Sequence, residues 1–165
     1  MRIEVATEET LDAVLALLGA QYAEHAIDLP GSTLREATRV LVGEPQRGAI
    51  LLACDPGPIG LAVLAFTWTL EHGGNVAWLD ELYVVPAHRG RRVGEELLQR
   101  ALELARRAGC RAVELEVDVG HARAEHLYER AGFAPLSRKR WSRSFPPPLV
   151  LRSSTPIDPP PPHPL

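Results

Sequence analysis

Between an apolar run that ends at Val85 and a helical pattern that opens near Val93 lies Arg89-Gly90-Arg91-Arg92-Val93-Gly94. A strand that runs through a short glycine-containing turn into a helix leaves backbone N–H groups unpaired and aimed beyond the helix start. Such a place favours anions. The helix dipole adds about 0.3–1 kcal/mol for a charge at an exposed terminus, and neighbouring arginines make charge-assisted bonds to phosphate oxygens. Gly90 and Gly94 present no β-carbon, so a ligand can come close to the backbone. A pyrophosphate fits this description. The spacing is not a P-loop, since no Gly-Lys-Ser/Thr follows, and it is not GxGxxG. The same residues also fit a basic helix start that merely solvates one face.

Two carboxylates precede the loop in "VAWLDELYVV". Strict alternation places Glu81 with Leu79, Tyr83 and Val85 on one face and Asp80 with Trp78, Leu82 and Val84 on the other. Parity does not choose between them. His121 and His126 are five apart, which does not put them on one helical face for a metal, and none is implied. Cys54 and Cys110 have neither CxxC spacing nor a zinc-type histidine pattern and are expected to be free, buried thiols.

The elements that position these residues follow from periodicity. "RIEVA" is a short strand, and Leu11, Val14, Leu15 and Leu18 share one face of a first helix with Thr7 as its N-cap. Thr33 and Glu36 have capping-box spacing, and Leu34, Ala37, Val40 and Leu41 form the stripe of a second helix. "AILLAC", "LAVLAFTWTL" and "VAWLDELYVV", separated by "DPGPIG" and "EHGGN", predict three antiparallel strands in a meander. Beyond Pro86, Val93, Leu97, Ala101 and Ala105 recur every four residues up to Gly109, the strongest helix of the chain. "RAVELEVDV" alternates Val113, Leu115 and Val117 against acids; "ARAEHLYERAG" is a short helix closed by Gly132; "FAPLSRKRWSRSF" suits a last strand or two. The passage from Leu79 to Val117 predicts a parallel or splayed strand pair with a helical crossover. From Pro146 to Leu165 the proline-rich sequence is expected to be a mobile tail or a surface strap.

The 165 residues, 45% hydrophobic and 24% charged, are enough for one globular domain. A net charge of −3 and a pI of 6.1 speak against a nucleic-acid binder, because the basic cluster is local. The start lacks the apolar core of a signal peptide and no run is long enough to span a membrane, so a soluble cytoplasmic protein without membrane or nucleic-acid partners is expected.

"LDELYVVPAHRGRRVGEELLQRAL", together with "LEVDVGHARAEHLYERAGF", resembles the GNAT superfamily of acyl-CoA-dependent N-acetyltransferases. The family's pyrophosphate loop reads Arg or Gln, two residues, Gly, one residue, Gly or Ala; here it begins at Arg89. Arg92 stands where that pattern usually has glycine, and His121 where the second motif usually has asparagine. The resemblance implies a single α/β domain over residues 1–145, with a central mixed twisted sheet flanked by helices, antiparallel N-terminal strands and a splayed parallel pair. It implies acetyl-CoA as co-substrate, without a metal. Tyr83 and the amides of Val84 and Val85 would meet the pantetheine arm as an added strand would, the amides from Arg89 through Gly90, Arg91, Arg92 and Val93 to Gly94 would hold the pyrophosphate, and His121 and Ala124 would neighbour the cofactor.

Acetyl transfer needs a neutral amine. A primary alkyl amine with a pKa of about 10.4 is protonated at pH 7, a handicap of roughly 4–5 kcal/mol, so a base is useful. The resemblance selects Glu81 as that base, acting through water, and Tyr128 as proton donor to the departing thiolate. It draws the acceptor pocket from Tyr22, His25 and Asp28, then Trp68, Glu71 and His72, with Asp80 beside them. This mixture suits a small, cationic or polyamine-like primary amine. A non-catalytic acyl-CoA-binding module and a peptide N-terminal acetyltransferase are the alternative functions. The family also implies a homodimer, paired through strands after Phe133.

Overall fold

The computed structural model describes residues 1–118 and 120–145; the expectation for the proline-rich tail lies outside them. Residues Met1–Ala134 form one compact unit. Its five-stranded sheet, in the order β1-β2-β3-β4-β5, comprises β1 (Arg2–Val5), β2 (Gly48–Cys54), β3 (Pro58–Thr69), β4 (Gly74–Val84) and β5 (Ala112–Leu115). The first four strands pair antiparallel and β5 runs parallel to β4, as expected of a helical crossover.

Alternation divides the sheet into two apolar faces. Leu51, Ala53, Ala62 and Leu64 pack against helix α3 (Val93–Arg107), while Ile50, Leu52, Leu61 and Val63 pack against α1 (Leu11–Glu24) and α2 (Gly31–Gly43). Leu97 and Leu98 of α3 are fully buried, and each such side chain contributes about 1.5–3 kcal/mol. The short α4 (Ala122–Arg130) places Leu127 and Tyr128 against the α3 face.

Several local expectations change. Thr7 opens a 3-10 turn, Glu8–Thr10, before α1, its amide donating to Thr10 Oγ1 at 2.9 Å. Leu17, rather than the half-buried Leu15, completes the buried stripe of α1, and Gln21 extends it. The capping box at Thr33 and Glu36 does not form: α2 begins earlier, with Pro30 as N-cap, and Glu36 instead pairs with Arg39 at 3.0 Å. Ala37 is exposed, and Thr38, its hydroxyl donating to the Leu34 carbonyl at 2.7 Å, takes the buried position. Residues 133–145 contain no strand. Pro135 lacks a donor, and the basic run Arg138-Lys139-Arg140 offers no apolar alternation to bury.

The parity expected for β4 also fails, for one reason. Val63 pairs with Glu81 and Leu64 with Leu79, so Asp80 is an extra residue, a β-bulge. Ala77 and Leu79 face α3, whereas Tyr83 faces α1, with Leu82 and Val84 now turned to the α3 side. The pairing of β4 with β5 stops at Leu79↔Leu115, one residue before the bulge. Glu116 to Asp118 therefore leave the sheet, and β5 is shorter than its sequence alternation suggests.

Arg92 is the N-cap of α3 with φ 64°, in the left-handed region. A residue with a β-carbon loses roughly 1–2 kcal/mol there, which is the physical reason for a glycine at this place. Arg92→Gly is expected to raise stability in urea unfolding by about 0.5–1 kcal/mol, the relief being partly offset by glycine's chain entropy; a fall would show that the arginine side chain holds the loop.

Candidate active site

Where β4 and β5 part, a cleft of about 900 Å³ opens, walled by both strands, the end of α1, the start of α3 and α4. Glu81 stands on its α1 side. Its carboxylate accepts a hydrogen bond from Gln21 Nε2. Burial, and then the neighbouring charge of Asp80, pushes the Glu81 carboxyl above the ordinary carboxylate range, while hydrogen bonding to Tyr22 and Gln21 works the other way. Tyr22 is itself pushed up to about 12, by burial first and then by Glu81, so its phenol remains a donor.

Of the residues expected around the acceptor, Tyr22, His25 and Asp80 gather near Glu81. Trp68 and Glu71 do not. Trp68 pairs with Asn75, six residues along β4 from Glu81, a separation of roughly 20 Å, and is 69% exposed. Glu71 lies in the turn beyond, where His72 pairs with Glu114 of β5 at 2.9 Å. Sequence reasoning placed these residues in the pocket by element order; strand length carries them to the opposite end of the sheet.

The strand edge offers less than expected. The Val85 amide donates to Ile59 at 3.0 Å and its carbonyl accepts from His88 at 2.9 Å, so its backbone is used within the protein. Val84, one residue earlier, turns its polar groups to the open side. There the Val84 carbonyl accepts from Arg89 Nε at 2.8 Å. The same guanidinium bonds Glu24 at 2.7 Å and lies 5.5 Å from the centre of the buried Tyr83 ring, whose hydroxyl is 3.4 Å from Glu24. That pairing holds the Glu24 carboxyl below its usual range.

In the loop, the Arg89 amide donates to Pro86 at 3.2 Å and is not free. The amides of Gly90, Arg91, Arg92, Val93 and Gly94 have no acceptor among the described residues. Gly90 adopts φ 80°, and Arg123 Nη2 of α4 comes within 3.9 Å of where its Cβ would be. Val93 points its side chain into the core, leaving only its amide for a ligand. A run of amides without a backbone acceptor, with Arg91, Arg92 and Arg123 beside it, matches the donor set that a pyrophosphate requires. The residues present therefore fit the phosphate part of coenzyme A.

His121 is the N-cap of α4, with Nδ1 accepting from the Ala124 amide at 3.2 Å. Imidazole thus does the capping work of an asparagine side chain, which accounts for its tolerance there and engages the Ala124 amide. Tyr128 lines the same cleft as Glu81; its ring stands edge-on to Phe133 with centroids 5.7 Å apart, and burial pushes its phenol up. Among the described residues no group of three metal-ligating side chains occurs, and no helix is long and apolar enough to cross a membrane.

Sequence reading missed three residues here. Gln21 was signalled only as a polar side chain at the next position of the α1 apolar stripe, Glu24 as an acid one helical turn further, and Arg123 as a cation in the first turn of α4. Gln21 is 7% exposed and its Oε1 has no partner; a buried unpaired acceptor costs roughly 1–3 kcal/mol.

Comparison with known proteins gives the family. A mycothiol acetyltransferase of Beutenbergia cavernae is 34% identical over 131 residues, which are 79% of this chain and 43% of that protein. An aminoalkylphosphonate N-acetyltransferase of Salmonella typhimurium is 28% identical over 78% of this chain and 81% of its own length. The chain thus spans less than half of the first relative and four-fifths of the second. The crystal structure of a putative acetyltransferase from Arthrobacter sp. FB24 superposes with a TM-score of 0.76 at 31% identity, covering 88% of this chain and 96% of that one. Residues 11–133 match the model of the acetyltransferase (GNAT) family. With the bulged β4, the β5 that parts from it and the arginine-glycine loop in place, the chain belongs to the GNAT family.

Proposed function

We propose that this protein transfers the acetyl group of acetyl-CoA directly to a primary amine of a small molecule. The observation that carries the proposal is Glu81, a half-buried carboxylate on one wall of the cleft whose other walls hold Tyr128 and the free amides of the arginine-glycine loop. Acetyl-CoA, when bound, supplies the acyl group and a thiolate leaving group. The loop amides and Arg91, Arg92 and Arg123 would hold its phosphates, and the open side of Val84 would meet its extended arm.

Glu81 removes the proton that the ammonium carries at neutral pH, directly or through a water. Its raised pKa narrows the gap to the amine, which makes it a better base than a surface carboxylate. Asp80 and His25 line the cleft, and the carboxylates of Asp80 and Glu81 together favour a cationic amine. The relatives named for mycothiol and for an aminoalkylphosphonate support a small acceptor. Tyr128 keeps its proton because burial raises its pKa, so it meets the developing thiolate as a hydrogen-bond donor. Complete transfer to a thiolate with a pKa near 8.5 would be uphill by more than about 2 kcal/mol, so stabilisation of the departing charge is its main contribution.

The presence of Glu81 and Tyr128 in one cleft supports the enzyme over a non-catalytic acyl-CoA-binding module. Thiol release should be measured for a panel of small amines and, in parallel, for peptide N-termini. Turnover with small amines is expected; turnover with peptides alone would sink the acceptor assignment. Glu81→Gln should lower kcat by about 10²–10⁴-fold and Tyr128→Phe by roughly tenfold, each leaving coenzyme A affinity within about twofold by calorimetry. For the native protein, kcat falls as pH is lowered through the Glu81 pKa, because the base must be ionised. That acid limb is expected above the ordinary carboxylate value of 4.5, and its absence from the pH profile would argue against Glu81.

A further inference from the structure

Gln21 sits where packing alone calls for an apolar residue: it continues the buried stripe that Val14, Leu17 and Leu18 form along α1. Its side chain is 7% exposed, its Nε2 donates to Glu81, and its Oε1 is sealed from solvent without a partner. A structural glutamine would pair both ends. Glu81, however, must exist in two states during turnover, a carboxylate that needs a donor and a carboxylic acid that needs an acceptor. A primary carboxamide carries one of each on a single planar group, and a half-turn about its terminal torsion exchanges them.

We propose that Gln21 is a positioning residue that follows the protonation of Glu81, donating from Nε2 to the carboxylate and, after the carboxyl group has taken the proton of the amine, turning so that Oε1 accepts from its O–H. The proposal rests on Glu81 being the base. The proton balance is closed: the ammonium N–H bond breaks, an O–H bond forms on Glu81, and that proton later passes to water. Gln21 neither gains nor loses an atom. The unpaired Oε1 is then the acceptor belonging to the other half of the cycle, and Glu81 is held in one place through both halves. The charged and titratable groups that also face Glu81 are Tyr22 and His25 on the α1 side and Asp80 beside it on β4. The Tyr22 phenol donates, and Asp80 repels the carboxylate.

The test uses the full chain. The side-chain amide signals of Gln21 are followed by ¹H–¹⁵N NMR across the acid limb of the kcat profile, in the native protein and in Glu81→Gln. They are expected to move between two plateaus with the midpoint of that limb, and to stop titrating in the variant. Signals that stay fixed while the Glu81 carboxyl carbon titrates would overturn the proposal without any need for a Gln21 variant. In kinetics, Gln21→Met, equal in length but unable to bond, should lower kcat about tenfold and move the acid limb upward by about half a unit or more, with KM for acetyl-CoA within about twofold. An unchanged limb and kcat in a folded Gln21→Met, beside an inactive Glu81→Gln, would overturn this inference alone. Full turnover by Glu81→Gln would overturn the base assignment and this proposal with it.

Discussion

One extra residue in one strand governs this molecule. Inserting Asp80 opposite the Val63–Leu64 step turns β4 over, so that Leu79 is given to the α3 core and Glu81 to the α1 side. At the same step β4 loses its partner β5. A carboxylate delivered to one wall and a gap opened beside it are thus two results of one local irregularity. Had the strand stayed regular, Glu81 would share a face with Leu79, the α1 contacts would be lost, and no space would separate the parallel pair. Bulges bend and twist strands, and this one uses both effects.

Around that irregularity the rest of the unit is conventional packing. Two apolar faces, one under α3 and one under α1 and α2, hold the central strands with fully buried side chains such as Ile50, Leu52, Leu61 and Leu64. The packed sheet matters because the proposed base, donor and phosphate seat lie on separate elements and keep a common geometry only when those elements cannot slide. At the far end, His72 and Glu114 link the β3–β4 turn to β5 and close the short parallel pairing there. The divergence between the strands is therefore confined to the end where Glu81 and Tyr128 stand.

The sequence made the order of elements, the helical crossover and the arginine-glycine loop legible, because each has a local cause: a period of two or four, a turn glycine, a helix start. Glu81 and Tyr128 were found through the resemblance of their surrounding motifs. What was not legible depended on distance. Alternation along β4 gave no sign of the bulge, so parity put Leu79 and Glu81 together. Trp68 and Glu71 follow the right strand in order but at its wrong end, which only the register with β4 reveals. Val85 looked available until its amide was seen to bond Ile59. Gln21 read as a polar interruption of an apolar stripe, and its partner lies sixty residues away. The expected last strands failed because residues after Phe133 combine proline and clustered positive charge.

The left-handed Arg92 has a further meaning for ligand binding. Together with the bonds from Arg89 to Pro86 and from His88 to Val85, it fixes the turn through contacts of the protein itself. The amides from Gly90 to Gly94 have no backbone acceptor among the described residues, and the turn that carries them is set by bonds within the protein, so its conformational freedom is surrendered during folding. Affinity for an anion is then opposed by little ordering of the receptor. The backbone strain at one arginine is the thermodynamic counterpart of a turn held by the fold itself.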